Sequence, residues 1–145
     1  MIKIRKGTSI IEIVIATTLI SIAIIAALSL TSRSQKQNSY ARDLAQATKY
    51  ATQAVDWIRS ERDRHGYDTI YTISEGPYCL NILPSDFLVM EPGICNDNTH
   101  IPDTLFQREI NLTKTAEAMN IVVSVSWFDT DVRQAKIEME LTSWH

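Results

Sequence analysis

The residue whose placement most needs a chemical reason is Glu12, which sits near the start of the apolar run "KGTSIIEIVIATTLISIAIIAALSL", Lys6 to Leu30. A carboxylate in hydrocarbon costs roughly 2.5–3.5 kcal/mol at mid-bilayer and less near the interface, so one kept in such a run marks a partner or a function. The alternative is a Glu tolerated at the interface. Elsewhere, His100 with Asp97, Asp103, Asp129 and Asp131 supplies the residue types of acid–base catalysis. No phosphate loop, nucleophile elbow or metal motif places them, and Asp129 and Asp131 suit a turn, so no enzymatic activity is expected. His65, His100 and His145 have no ligand spacing relative to Cys79 or Cys95, and neither a metal nor a cofactor is expected. Asn111-Leu112-Thr113 matches a glycosylation sequon and is given little weight. Fourteen basic and 17 acidic residues give a net charge of −3 with the signs mixed along the chain, so no nucleic-acid footprint is present.

The elements that hold Glu12 come next. From Ile13 to Leu30 there are 18 residues without a charged side chain. As a helix they span about 27 Å, close to the hydrocarbon thickness of a bilayer. Lys3, Arg5 and Lys6 precede the run, and the positive-inside bias keeps that end cytoplasmic and exports the rest. A cleaved secretory signal has a shorter apolar core ending at a small-residue cleavage site, whereas this one passes directly into a further helical pattern. A plain uncleaved anchor accounts for the length and the basic flank but has no use for Glu12.

The leader "MIKIRKG" followed by "TSIIE", with glutamate as the fifth residue after glycine, resembles the prepilin signal of type IV pilins and pseudopilins. The resemblance implies cleavage between Gly7 and Thr8 by a prepilin peptidase, N-methylation of Thr8, and Glu12 as the residue that docks onto the neighbouring subunit's N-terminal amine. Thr8 stands where that family most often has phenylalanine, and the apolar helix lacks the proline many major pilins carry. Removal of the three bases in the leader would take the net charge from −3 to −6. The partners implied are the peptidase, the major pilin and other minor pilins, and the inner-membrane assembly platform.

Past Leu30, residues 31–39 are polar, and then Tyr40, Leu44, Ala47, Ala51, Ala54 and Ile58 recur at three- and four-residue intervals. With no Gly or Pro before Gly66 and with Arg62, Arg64 and His65 in the last turn, one helix is predicted over 9–65. Tyr50 and Trp57 are expected as core residues. Strands are predicted at 67–73, 78–82 and 105–112, with Gly76-Pro77 as a turn and 83–104 as loop. In 105–112, Phe106, Arg108, Ile110 and Leu112 share a face. A hairpin is predicted from 120–128 and 132–141, where Ala135, Ile137, Met139 and Leu141 alternate with Lys136, Glu138 and Glu140.

The fold class is therefore α+β, a long N-terminal helix packed on a small antiparallel sheet. The organisation expected is a leader 1–7, a transmembrane and assembly helix 8–30, and an exported domain 31–145 made of an amphipathic helix 31–65 and a sheet 67–145. The ending "VSVSWFDTDVRQAKIEMELTSW", with "AVDWIRSERD", is similar to the PilV-like minor pilins and the I-type pseudopilins. Cys79 and Cys95 both fall in the exported part, where an even count favours a disulfide, and a loop of about 15 residues closed this way contributes roughly 3 kcal/mol. Two free buried thiols are the alternative.

Three functions fit: a minor pilin of a type IV pilus, a type II secretion pseudopilin, or an anchored binding module using loop 83–104. The first is favoured on the Trp-Asp hairpin. It places the protein in the inner membrane with a cytoplasmic N-terminus, and afterwards in the surface filament.

Overall fold

The structure, a computed structural model, describes residues 9–96 and 99–143. The leader 1–7, Thr8, Asp97 and His145 lie outside them. Helix α1 runs Ile10–His65, unbroken because nothing in it removes a backbone donor or frees the backbone as Gly would. Two compact units divide the chain, one up to Ala41 and one from Arg42. In the first, every described side chain is exposed. Its hydroxyls are satisfied internally: Thr18 donates to the Val14 carbonyl at 2.8 Å, Ser21 to Thr17 at 2.8 Å and Thr31 to Ala27 at 3.0 Å. A helix that closes its own polar groups is compatible with hydrocarbon.

In the second unit, α1 presents Ala47, Ala51, Ala54, Val55 and Ile58 to the core. The alanines make this face of the helix narrow, and larger rings fill in around them. Tyr50 meets Phe106 with ring centroids 5.5 Å apart, Phe106 meets Trp127 at 5.8 Å, and Trp57 meets Phe87 at 5.4 Å. Tyr50 and Trp57 are half-buried against this core, as expected of them.

The sheet is an antiparallel meander, β1 (Gly76–Cys79), β2 (Phe106–Lys114), β3 (Ala118–Phe128) and β4 (Val132–Thr142), in that spatial order. Its inner face carries Phe106, Arg108, Ile110 and Leu112 from β2 and Ile121, Val123, Val125 and Trp127 from β3, all buried. The hairpin register sets Val123 against Ile137 and Val125 against Ala135. Alternation in β4 follows the predicted faces, with Ala135 and Leu141 buried and Ile137 and Met139 partly so.

Two expectations fail. Residues 67–73 are not a strand: Tyr67–Tyr71 is a short helix, α2. Tyr67, Ile70 and Tyr71 lie at i, i+3 and i+4, the spacing of one helical face, and the rings of Tyr67 and Tyr71 stack 5.4 Å apart while Ile70 is fully buried. Over so few residues aromatic and β-branched enrichment does not separate the two periods. Gly76-Pro77 is not a turn but the start of β1, and the sheet accordingly begins at 76 rather than 67. Proline is accepted there because β1 is at the sheet edge, where the missing N–H costs no ladder bond. The Pro77 carbonyl still accepts from Gly93 N–H at 2.8 Å. Among the described residues of 83–104, one short turn of 3₁₀ helix, η1 (Phe87–Val89), is capped by Asp86, whose carboxylate accepts from Leu88 N–H at 2.8 Å.

Candidate functional site

Glu12 lies in the first turn of α1 and is exposed. The Ser9 carbonyl accepts from Glu12 N–H at 2.9 Å and from Ile13 N–H at 3.3 Å, so the helix starts immediately after Ser9. Ser9-Ile10-Ile11-Glu12 thus has the S-x-x-E spacing of a helix start, where a carboxylate meets the unpaired amides and the positive end of the helix dipole. That spacing is legible in the sequence, and a first-turn position is one where a carboxylate is favoured by the helix dipole. From Ile10 to Leu30 the large apolar side chains are all exposed. Among the described residues, α1 is the one helix long and apolar enough to cross a membrane, and none of its apolar stretch is buried.

Cys79 and Cys95 form a disulfide, with their Cα atoms 4.8 Å apart. It ties the end of β1 to the segment after η1. Around it, Asn81 bridges strand and loop: its amide donates to the Thr99 carbonyl at 2.8 Å and its oxygen accepts from Arg108 N–H at 2.7 Å.

Of the acids named with His100, Asp97 lies outside the described residues. Among the described residues no hydrogen bond or ion pair joins His100 to Asp103, Asp129 or Asp131. It lines an open depression of about 250 Å³ with Leu105, Trp127, Phe128 and Val132, while Asp129 and Asp131 close the β3–β4 turn, as their sequence position suggests.

Two polar features escaped the sequence reading. Arg108, only 3% exposed, reaches across the core: Nε donates to the Leu80 carbonyl at 2.8 Å and a terminal nitrogen to the Tyr50 carbonyl of α1 at 2.9 Å. Burial lowers the pKa of its guanidinium well below the usual arginine range, to about 10. Glu61, only 1% exposed, accepts from Phe87 N–H at 2.8 Å and pairs with Arg64 at 2.8 Å. His65 Nε2 lies 3.3 Å from Asp86 Oδ1 and 3.7 Å from Glu61 Oε2. Glu61 and His65 are i, i+4 on α1, which the sequence does show, but Asp86 arrives only through the fold.

Comparison of the chain with known protein families, characterised proteins and solved structures returns no match.

Proposed function

We propose that this protein is a filament subunit, a minor pilin of a type IV pilus, processed after Gly7 and assembled through its apolar N-terminal helix. The observation that carries the reading is the fixed sequence of a basic leader, Gly7, Glu12 five residues later and an uncharged stretch to Leu30, continuous with a helix whose second half packs on an antiparallel sheet. A helix that only anchored a domain would have no need of the leader glycine or the acid. An apolar helix with every side chain outward has, after leaving the bilayer, to be covered by something, and copies of the same kind of helix fit that need. Glu12 and the new amine at Thr8 would each be costly if buried alone among such helices, and paired they offset much of that cost. A type II secretion pseudopilin uses the same chemistry. The Trp127–Phe128–Asp129 hairpin, similar to the PilV-like group, favours the pilus.

The test is processing. Co-expressed with a prepilin peptidase, the chain should lose seven residues and begin at Thr8, and Gly7→Val should block the cut. Intact full-length protein beside an active peptidase would return it to a plain anchored module.

A further inference from the structure

We propose that Glu61, His65 and Asp86 bind one divalent cation of the zinc class, clamping the last turn of α1 to the segment that leads into η1. The imidazole nitrogen Nε2 of His65 is buried and has no hydrogen bond. A buried polar atom without a hydrogen bond calls for an explanation. It faces two carboxylate oxygens at 3.3 and 3.7 Å, and one ligand atom from each of the three residues falls within 4.8 Å of the others. Ligands held about 2.0–2.1 Å from a tetrahedral zinc stand about 3.3–3.4 Å apart, so the contacts to His65 already have nearly the right length and the widest separation has to close by roughly 1.4 Å.

The donor set selects the metal. One imidazole and two carboxylates suit zinc, whereas calcium wants six to eight oxygens and magnesium an octahedron of oxygens, neither of which this site offers. With three protein ligands the fourth position is left to solvent, which reaches the site past the partly exposed His65 and Asp86. The surroundings are already arranged as an outer shell. Phe87 N–H donates to Glu61 Oε2 and Leu88 N–H to Asp86 Oδ1, which fixes both carboxylates. Arg64 sits on Oε1 of Glu61 and also donates to the Ser85 carbonyl at 3.2 Å, so it leaves Oε2 to the metal but draws charge from the carboxylate. The competing occupant is a proton on His65, which would use the same two oxygens and leave no place for a metal.

The experiment uses the full-length chain in detergent, stripped of metal by a chelator and dialysed, at neutral pH. Zinc chloride should give a saturable one-to-one calorimetric isotherm and raise the melting temperature, and chelator should reverse the rise. His65→Ala and Asp86→Asn should each weaken binding by about 100-fold or more, the upper end of what loss of an outer-shell partner alone costs. Arg64→Ala should keep or tighten it. Because a variant could disturb the fold, cobalt on the unaltered chain supplies a second readout: visible bands of four-coordinate intensity that zinc displaces. No saturation and no shift in melting temperature with the unaltered chain would leave the proton as the occupant and overturn the proposal. Undiminished zinc binding by a natively folded His65→Ala variant would overturn it equally.

Discussion

Replacing both cysteines by alanine should lower the stability of the second unit by about 3 kcal/mol, and the structure says where that loss arises. The bridge closes a loop with a sequence separation of 16, for which the chain-entropy contribution is about 3 kcal/mol. The native loop does not depend on the bridge for its place. Gly93 N–H bonds the Pro77 carbonyl at 2.8 Å, Tyr78 and Pro92 form a β-bridge, Asn81 holds Thr99, and Glu61 holds Phe87. The double variant should therefore fold to the same far-ultraviolet spectrum, and the loss should come from an unfolded chain with more freedom. For a unit of this size each kcal/mol moves the midpoint by about 4–8 °C, so scanning calorimetry should show a fall of about 12–24 °C. Urea titration should show a steeper slope, because the uncrosslinked denatured chain exposes more surface. Alanine is the appropriate substitute because serine would add hydroxyls in half-buried positions. A fall of less than about 4 °C, or loss of the native spectrum, would refute the reasoning: the first would mean the denatured chain is already constrained, the second that the bridge shapes the native loop.

If the filament reading holds, Glu12→Ala should leave membrane insertion and leader cleavage intact while lowering the ratio of this subunit in sheared pili to that in membranes, by about tenfold or more for a lost pairing of about 1.4 kcal/mol. Glu12→Gln should behave the same way, since it keeps an acceptor at the helix start but no charge; a normal ratio for the Gln variant would assign Glu12 to helix capping alone. Arg108→Ala should cost about 3–5 kcal/mol in urea denaturation by leaving two buried carbonyls short of a donor above a void, and Arg108→Met should cost less because it fills the space; equal costs would show that the void plays no part. Burial, reinforced at Tyr67 by Tyr71, Asp68 and Glu140 and partly offset at Tyr78 by its bond to Ser74, raises both phenols above the usual 10. Their contribution to stability is complete below pH 10 and is lost as pH climbs through the raised values, so Tyr67→Phe and Tyr78→Phe should each remove absorbance from the late part of the phenolate titration; an unchanged late part would refute the shift.

What the sequence disclosed follows from the length over which each pattern persists. Fifty-six residues without a helix breaker, and strands that alternate over nine to eleven residues, average out local ambiguity. The stripe from Leu44 to Ile58 and the alternation of Phe106, Ile110 and Leu112 named the core on both sides of the interface before any coordinates. Arg108 fell on the buried face of that alternation too, but a charged residue there has no evident partner in the sequence, because its acceptors are backbone carbonyls 28 and 58 residues away. Tyr67–Tyr71 is too short to establish a period, and Pro77 is read as a turn or as an edge residue only when the sheet order is known. The cation cluster shows the same limit. Glu61 and His65 share a helical face in any reading, but they make a site only when η1 delivers Asp86 and the amide of Phe87 to them.

That delivery bears on how the described residues between β1 and β2 are held with so little regular structure. Backbone in such a segment loses about 1–2 kcal/mol of conformational freedom per residue, and its own ladder bonds are too few to offset this. The compensation is spread over chemically distinct fasteners: a covalent bridge at Cys79–Cys95, a side-chain amide at Asn81, a buried carboxylate at Glu61 and an apolar plug at Phe87 against Trp57. They act at three places along the segment, at Asn81, at Phe87 and at Cys95, so releasing one leaves the others in place. Reduction should then leave Phe87 and the Tyr78–Pro92 pairing in place, and loss of the Glu61 carboxylate should weaken the hold on η1 without opening the strand pairing at Tyr78. Substitutions at Cys79, Cys95, Asn81, Glu61 and Phe87 should therefore register in stability more than substitutions between them.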